Sequence, residues 1–181
     1  MKEKLYNSLE KINKTNANII YAFLLFCIFT FKILHYNQQN FDFWIETIGT
    51  ILQLALPFYV VVPLLWKKDF LGTKQMLKFL IAVLIIIWSL KLGLSDLLGF
   101  NTTRPRGGDM SFPSGHTAGA FLGSVFLTIR YGWKYALVVL PLAFYVAFSR
   151  IFSKAHWPAD VVASIVICTI LGLMIVRPFK K

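Results

Sequence analysis

The sequence predicts an all-α, polytopic membrane protein of six transmembrane helices, with a polar site where they meet water on the outer side. Three observations predict it. Long apolar runs recur along a chain that is 57% hydrophobic, with a mean hydropathy of +0.64. Thirteen of the nineteen Lys and Arg fall on one side of a membrane when the runs number six. Two of the three histidines, two arginines and one of only eight acids gather in the loops of the other side. At 181 residues the chain supports a single membrane-embedded domain, 1–181.

The elements follow in order. Residues 1–16 are polar, with Leu5, Leu9 and Ile12 at helical spacing among lysines, which predicts a short helix on the inner membrane surface. That stretch is too long for the start of a signal peptide, and no small-residue cleavage site follows the first run, so no cleavable signal is expected. Apolar runs then cover 18–34, 45–66, 77–94, 117–129, 135–148 and 161–176. A spanning helix needs about 20 mostly apolar residues. The second and third runs meet that. The fourth and fifth are short, and reach spanning length only if polar residues at their outer ends sit in a water-filled mouth; a buried hairpin is the alternative for these two.

Between the third and fourth runs, residues 95–112 form the longest outer segment, and Gly99, Pro105, Gly107, Gly108 and Pro113 mark it as loop and turn. Ser114 is a favoured cap for the helix that follows. Gly115, Gly119 and Gly123 stand four apart, a spacing that lets helices approach closely in lipid. Pro158 suits the first turn of the sixth helix.

Charge sets the orientation. Lys2, Lys4, Lys11 and Lys14 precede the first helix. Lys67, Lys68, Lys74 and Lys78 lie between the second and third, Arg130 and Lys134 between the fourth and fifth, and Arg177, Lys180 and Lys181 after the sixth. The positive-inside rule makes this side cytoplasmic, with both termini inside. Trp44, Trp66, Trp88, Trp133 and Trp157 then fall near helix ends, as an interfacial belt requires. The net charge of +11 is topology signal and contact with anionic lipid, so no nucleic-acid partner is expected. Cys27 and Cys168 lie inside apolar runs and read as small hydrophobes; no metal-type Cys/His spacing occurs, and no metal or other cofactor is expected.

Lys91, Arg104, Arg106, Arg150, His116, His156 and Asp160 share the outer side. Ionisable groups at membrane depth are functional candidates. His156 and Asp160 stand four apart, so on a helix they share a face. A carboxylate that accepts from one imidazole nitrogen leaves the other free as nucleophile or base. Two guanidiniums, Arg104 and Arg150, need an anion, and Asp160 cannot neutralise both while orienting a histidine. A phosphate suits bidentate Arg contacts. Ser114 and Gly115 add backbone N–H groups at a helix N-terminus, a ready anion site. His116 is placed there to give a proton to a leaving oxygen.

Arg104-Pro105, Pro113-Ser114-Gly115-His116, and Ser149-Arg150 followed by His156 and Asp160 resemble the signature of the type 2 phosphatidic acid phosphatase superfamily. The motif resemblance covers residues 91–160. One departure stands out. The family's lysine lies about seven residues before the Arg of Arg-Pro, and that position here is Leu97. The nearest upstream lysine is Lys91, thirteen residues before Arg104; a longer loop containing Gly99 would bring it back, whereas a lysine snorkelling at a helix end is the alternative. A similarly stretched first motif, with Arg-Pro-x-Gly-Gly, looks like bacterial lipid A phosphatases and their relatives.

The resemblance implies roles residue by residue. His156 is the nucleophile and forms a phosphohistidine; Asp160 holds its ring; His116 protonates the leaving oxygen and then activates water. Arg104, Arg150 and Lys91 bind the phosphate, with Ser114 and the Gly115 N–H. It also implies a metal-independent reaction on a membrane lipid phosphate or diphosphate: lipid A, undecaprenyl diphosphate, phosphatidylglycerol phosphate or phosphatidate, with lipid A favoured. A bacterial inner membrane, with the site facing the periplasm, is the expected location. Transfer of the phosphoryl group to a second lipid is the rival within enzymes; a non-enzymatic transporter is the rival outside them, and it gives no reason for a nucleophile–orienter pair beside a second histidine. A vanadium haloperoxidase has the same kind of cradle, but six apolar runs argue against it. The sequence leaves the oligomeric state open.

Overall fold

The computed structural model describes residues 38–94 and 102–179. Among these residues the structure is all helix and loop. Helix α1 is Gln38–Tyr59, α2 Val61–Trp66, α3 Phe70–Leu92, α4 Gly115–Tyr131, α5 Trp133–Phe152 and α6 Pro158–Ile175. The expected run 18–34, Cys27 and the amphipathic stretch 1–16 lie outside the described residues. Contacts separate two compact units, Met1–Trp44 and Ile45–Lys181. Of the first only the start of α1 is described; the account below concerns the second.

Among the described residues four helical segments are long and apolar enough to cross a membrane: Asp42–Trp66, Phe70–Leu92, Trp133–Phe152 and Pro158–Ile175. The first joins α1 and α2 across a break at Val60. Pro63 causes the break: it has no N–H for the Tyr59 carbonyl and its ring crowds that oxygen. Helix α3 begins at Phe70, earlier than the apolar run from 77. The Asp69 carboxylate caps it, accepting the Gly72 amide at 2.8 Å. Lys74 and Lys78, expected in a connection, therefore lie on α3.

Helix α4 explains why the fourth run is short. It packs against α3, α5 and α6, and eleven of its seventeen residues are buried. A helix surrounded by protein does not need a full apolar span facing lipid. Its small residues permit this. A Cβ at Gly123 would fall 2.5 Å from the Leu56 carbonyl group, so α4 touches the backbone of α1 there, the close packing expected of that glycine. Ser124 Oγ donates to the Ala120 and Val139 carbonyls at 2.9 and 3.0 Å, tying α4 to α5. Phe79, Phe126, Val139, Val146 and Cys168 complete a core common to four helices. In lipid, where tails are as apolar as leucine, such packing and polar ties hold helices together more than hydrophobic burial does.

At the far end of α4 the Arg130 guanidinium donates to both Asp69 oxygens, at 2.7 and 2.5 Å. Tyr131 Oη donates to Asp69 Oδ2 at 2.9 Å. Arg130, expected between the fourth and fifth helices, lies in the last turn of α4 and is buried, where it supplies the counter-charge that the buried Asp69 needs. Burial pushes the Asp69 carboxyl up, but the hydrogen bonds from Arg130, the Gly72 amide and Tyr131 outweigh it and hold the carboxyl below its ordinary range.

Candidate active site

The opposite end of α4 carries the motif residues. The polypeptide from 102 to 114 folds back over the α5–α6 junction. The Arg104 amide donates to the Gly108 carbonyl at 2.8 Å, and the Gly107 amide to the Arg104 carbonyl at 3.0 Å. Gly107 and Gly108 have φ of 92° and 88°, the left-handed backbone that this reversal requires and that glycine tolerates. The turn is fastened to its neighbour by the Arg106 amide on the Lys154 carbonyl and the Trp157 indole on the Thr103 carbonyl, at 3.1 and 2.9 Å.

His156 sits in the connection between α5 and α6, with its amide on the Arg150 carbonyl at 3.1 Å. Only 3% of the residue is exposed. Asp160 is the third residue of α6, after Pro158, and its Oδ2 accepts the Trp157 amide at 2.9 Å, which caps the helix. That oxygen lies 3.4 Å from His156 Nδ1. It also accepts a hydrogen bond from Ser111 Oγ, which itself lies 3.5 Å from Nδ1. With Nδ1 turned to a carboxylate, Nδ1 carries the proton and Nε2 keeps its lone pair. Burial, with the Lys91 and Arg104 cations, pushes the His156 imidazole down to about 4 against the opposing pull of Asp160. The ring is therefore neutral at pH 7.

Lys91 belongs to this cluster. It lies in the last turn of α3, 8% exposed, and its Nζ donates to the Met110 carbonyl at 2.7 Å. Its Cε is 4.0 Å from where a Cβ on Gly115 would stand, and its charge is felt by Arg104, His156 and Asp160. A lysine snorkelling to the surface would not be buried against a loop carbonyl. Arg104 is half-buried in the loop; its Nε is buried and has no hydrogen-bond partner among the described residues. A buried guanidinium N–H without an acceptor is costly, and an incoming anion would satisfy it.

Ser114 caps α4 as expected. Its Oγ accepts from the Thr117 amide and Thr117 Oγ1 at 3.4 and 3.1 Å, which leaves its own O–H to donate. The Ser114 amide donates to the Asp160 carbonyl at 3.1 Å, and Ser164 Oγ bridges the Ser114 and Asp160 carbonyls at 2.9 Å each. The N-terminus of α4 is thereby locked to that of α6. Gly115 and His116 follow in the first turn; His116 is half-buried, within electrostatic reach of His156, Arg150, Arg104 and Glu46.

Arg150 ends α5 and is 1% exposed. Its Nε donates to Ser149 Oγ at 3.0 Å, Nη1 to Thr50 Oγ1 at 3.3 Å and Nη2 to the Glu46 carbonyl at 2.5 Å. Gly49 makes room for it, because a Cβ there would lie 2.7 Å from Arg150 Nη2. The Glu46 carboxylate stands 3.7 Å from Arg150 Nη1 and takes both Nη groups of Arg106, at 2.7 and 2.9 Å. Sequence reasoning missed Glu46, Gly49, Thr50 and Ser111. It counted Asp160 as the one carboxylate facing the arginines; Glu46 is a second, and it pairs with Arg106 while standing beside Arg150. The signal available was an acid near the start of an apolar span, with Gly49 and Thr50 one helical turn further along.

The PAP2 superfamily profile matches residues 16–181. The chain belongs to this superfamily. It is similar to the undecaprenyl-diphosphatase BcrC of Bacillus subtilis, 39% identical over 80 residues, covering 42% of this chain and 39% of that protein. It is 31% identical over 124 residues to the lipid A 4'-phosphatase of Helicobacter pylori, covering 62% of this chain and 59% of the other. To an undecaprenyl-diphosphatase of Sulfolobus acidocaldarius it is 27% identical over 172 residues, 83% of this chain and 80% of that one. The chain thus spans less than two thirds of the length of the first two relatives. The crystal structure of Aquifex aeolicus LpxE shares the fold, with a TM-score of 0.61 at 21% identity, covering 82% of this chain and 92% of the other.

Proposed function

We propose that this superfamily member is a membrane lipid phosphatase that cleaves a phosphomonoester or diphosphate on a lipid head group through a phosphohistidine. The observation that carries the proposal is His156: a buried, neutral imidazole with Nδ1 against Asp160, beside the cations Lys91 and Arg104. In the first step the Nε2 lone pair forms a bond to phosphorus while the bond from phosphorus to the lipid oxygen breaks. His116 gives that oxygen its proton. The bound phosphate supplies the negative charge that favours a protonated His116 beforehand. In the second step water attacks phosphorus, its proton passes to His116, the N–P bond breaks with its electrons returning to His156, and inorganic phosphate leaves.

Phosphoryl transfer asks a site mainly for position and for stabilisation of charge on the equatorial oxygens. Lys91, Arg104, the Ser114 hydroxyl and the Gly115 amide supply it, with those N–H groups of Arg150 that Ser149, Thr50 and Glu46 leave over. Fixed cations do here what metal ions do elsewhere, so the reaction is proposed to be metal-independent.

The substrate is proposed to be a lipid whose phosphate reaches the cradle from the bilayer edge, in a single domain over 1–181 with six spans, cytoplasmic termini and the site at the outer interface of a bacterial inner membrane. The Arg104-Pro105-x-Gly107-Gly108 form and the lipid A phosphatase relatives favour lipid A phosphate. A second reading, undecaprenyl diphosphate, is favoured by the two relatives of that name. Phosphatidylglycerol phosphate, phosphatidate and transfer to a second lipid complete the set to test. Purified protein is offered each lipid phosphate in turn and phosphate release is measured beside His156→Ala. One lipid is expected to turn over well above the others, with no release by the variant. Release by His156→Ala at the wild-type rate would remove the proposal. Cysteines placed at Gly107 and Lys68 test the topology; labelling of both from the same side would sink the six-span arrangement.

A further inference from the structure

At the end of α4 farthest from His156, an open cavity of about 790 Å³ lies between the α2–α3 turn and the segment that follows α6. Its walls include Lys67, Lys68, Phe70, Arg130, Arg177 and Phe179. Helix α4 has seventeen residues, about 25 Å at 1.5 Å each, so this cavity is separate from the phosphate cradle.

Arg130 and Asp69 close one wall as a neutral pair. Arg130 uses four of its five donors, two on Asp69 and the others on Gln75 Oε1 at 3.3 Å and the Arg177 carbonyl at 2.7 Å. The same residues pin the chain after α6: the Phe179 amide donates to the Arg130 carbonyl at 2.7 Å, and the Arg177 amide to Gln75 Oε1 at 3.0 Å. Arg177 is thereby held at the cavity wall. Asp69 is spent on Arg130, and among the described residues no carboxylate pairs with the side chains of Lys67, Lys68 or Arg177. The Lys67 ammonium lies 5.6 Å over the Phe179 ring and 5.9 Å over Tyr131, contacts that orient it without neutralising it. Among the described residues, three cations thus face one cavity without a carboxylate partner.

The rim has the opposite character. Trp66, Phe70 and Leu71 are 84%, 80% and 58% exposed, at the ends of two membrane-crossing segments. A cationic recess bordered by lipid-facing apolar side chains matches an amphiphile with an anionic head and acyl tails. We propose that this cavity binds the headgroup of an anionic phospholipid, with Lys67, Lys68 and Arg177 on its phosphate and the tails along Phe70 and Leu71. Basic recesses between membrane helices bind lipid headgroups by this chemistry. The inference does not depend on the reaction at His156.

Native mass spectrometry of the purified full chain tests it, with dioleoyl phosphatidylglycerol, dioleoyl phosphatidylcholine and inorganic phosphate as probes. The cavity variant is Lys67→Gln/Lys68→Gln/Arg177→Gln. The control is Lys74→Gln/Lys78→Gln/Lys134→Gln, which removes the same charge from exposed positions outside the cavity. All six side chains are exposed, so both variants should fold. Wild type and control are expected to bind phosphatidylglycerol about tenfold or more tightly than phosphatidylcholine, and the cavity variant to lose that preference. Equal binding of the two lipids by wild type, a preference retained by the cavity variant, or an equal loss in the control each overturns the proposal. Retention of inorganic phosphate at the cavity as tightly as phosphatidylglycerol overturns it too, in favour of a soluble anion.

Discussion

Asp160 Oδ2, the oxygen that faces His156 Nδ1 at 3.4 Å, is the same atom that accepts the Trp157 amide and the Ser111 hydroxyl. One oxygen therefore caps α6, receives the loop and orients the imidazole. Ser111→Ala removes one donor and leaves the other two relationships intact. A hydrogen bond to a charged group contributes about 1.5–3 kcal/mol, so kcat is expected to fall roughly tenfold to a hundredfold with KM nearly unchanged. Asp160→Asn also removes the charge that stabilises a positive His156 ring, and should be the more severe. Steady-state kinetics on one lipid phosphate measure both; Ser111→Ala as damaging as Asp160→Asn contradicts this order.

The His156 ring should titrate far below an ordinary histidine. Burial is the first cause, and Lys91 and Arg104 add to it, which places the midpoint at about 4. Above that pH the ring is neutral and able to attack; below it the lone pair is lost. Lys91→Met removes one of the cations that disfavour the charged ring, so the midpoint moves up. It stays below 6.5, because burial remains. Imidazole resonances followed by NMR from pH 8 to well below the expected midpoint report it directly. A wild-type value near 6.5 would show that the ring is not held in the environment described.

Much of this was legible in the sequence. Pro113-Ser114-Gly115-His116 announces a capped helix because Ser114 needs only its own first turn to act as a cap, and Pro158 and Asp160 announce another for the same local reason. Relationships across helices were not legible. That Glu46 serves Arg106 and Arg150, or that Ser111 reaches Asp160, depends on how α1 and the loop lie against α5 and α6. The local pattern says nothing of that. The Arg130–Asp69 pair was not legible for the same reason: the sequence places Arg130 among the inward cations, and only the α3 cap at Asp69 makes it a buried partner.

Lys91 and Arg104 are expected to fail together on substitution. Both face His156 electrostatically, and Lys91 is too buried for an interfacial lysine. Removing one charge-stabilising donor from a dry site costs about 10²–10³ in turnover. Lys91→Ala and Arg104→Ala should each show a loss of that order, and Lys91→Arg a partial rescue, since a planar fork replaces a point charge. Full turnover by Lys91→Ala beside a dead Arg104→Ala would remove Lys91 from the cradle.

Activity should survive excess chelator. In the proposed mechanism Lys91, Arg104 and Arg150 supply the positive charge, and among the described residues no three His, Cys, Asp or Glu side chains gather to hold a metal ion. Phosphate release before and after dialysis against EDTA measures this. Loss of activity that returns on adding Mg²⁺ contradicts it.

Gly49 tests whether α1 takes part in the reaction through Arg150. It touches no substrate in the proposed mechanism, yet a Cβ there would run first into Ser149 Oγ, the acceptor of Arg150 Nε, and would lie 2.7 Å from Arg150 Nη2 and 2.9 Å from Ser149 Cβ. Gly49→Ala must therefore move the guanidinium, or push α1 away from α5. An Arg fork displaced by even a fraction of an ångström loses aligned contacts to a phosphate. KM for the lipid phosphate and the inhibition constant for inorganic phosphate are expected to rise several-fold together, because both ligands use the same fork. Gly123→Ala is the comparison: its Cβ would meet the Leu56 backbone at 2.5 Å, deep in the α1–α4 contact and away from Arg150. That variant should lose thermal stability. If Gly49→Ala instead lowers stability as Gly123→Ala does and leaves both constants unchanged, Gly49 serves packing alone, and Arg150 does not reach the phosphate through the geometry described.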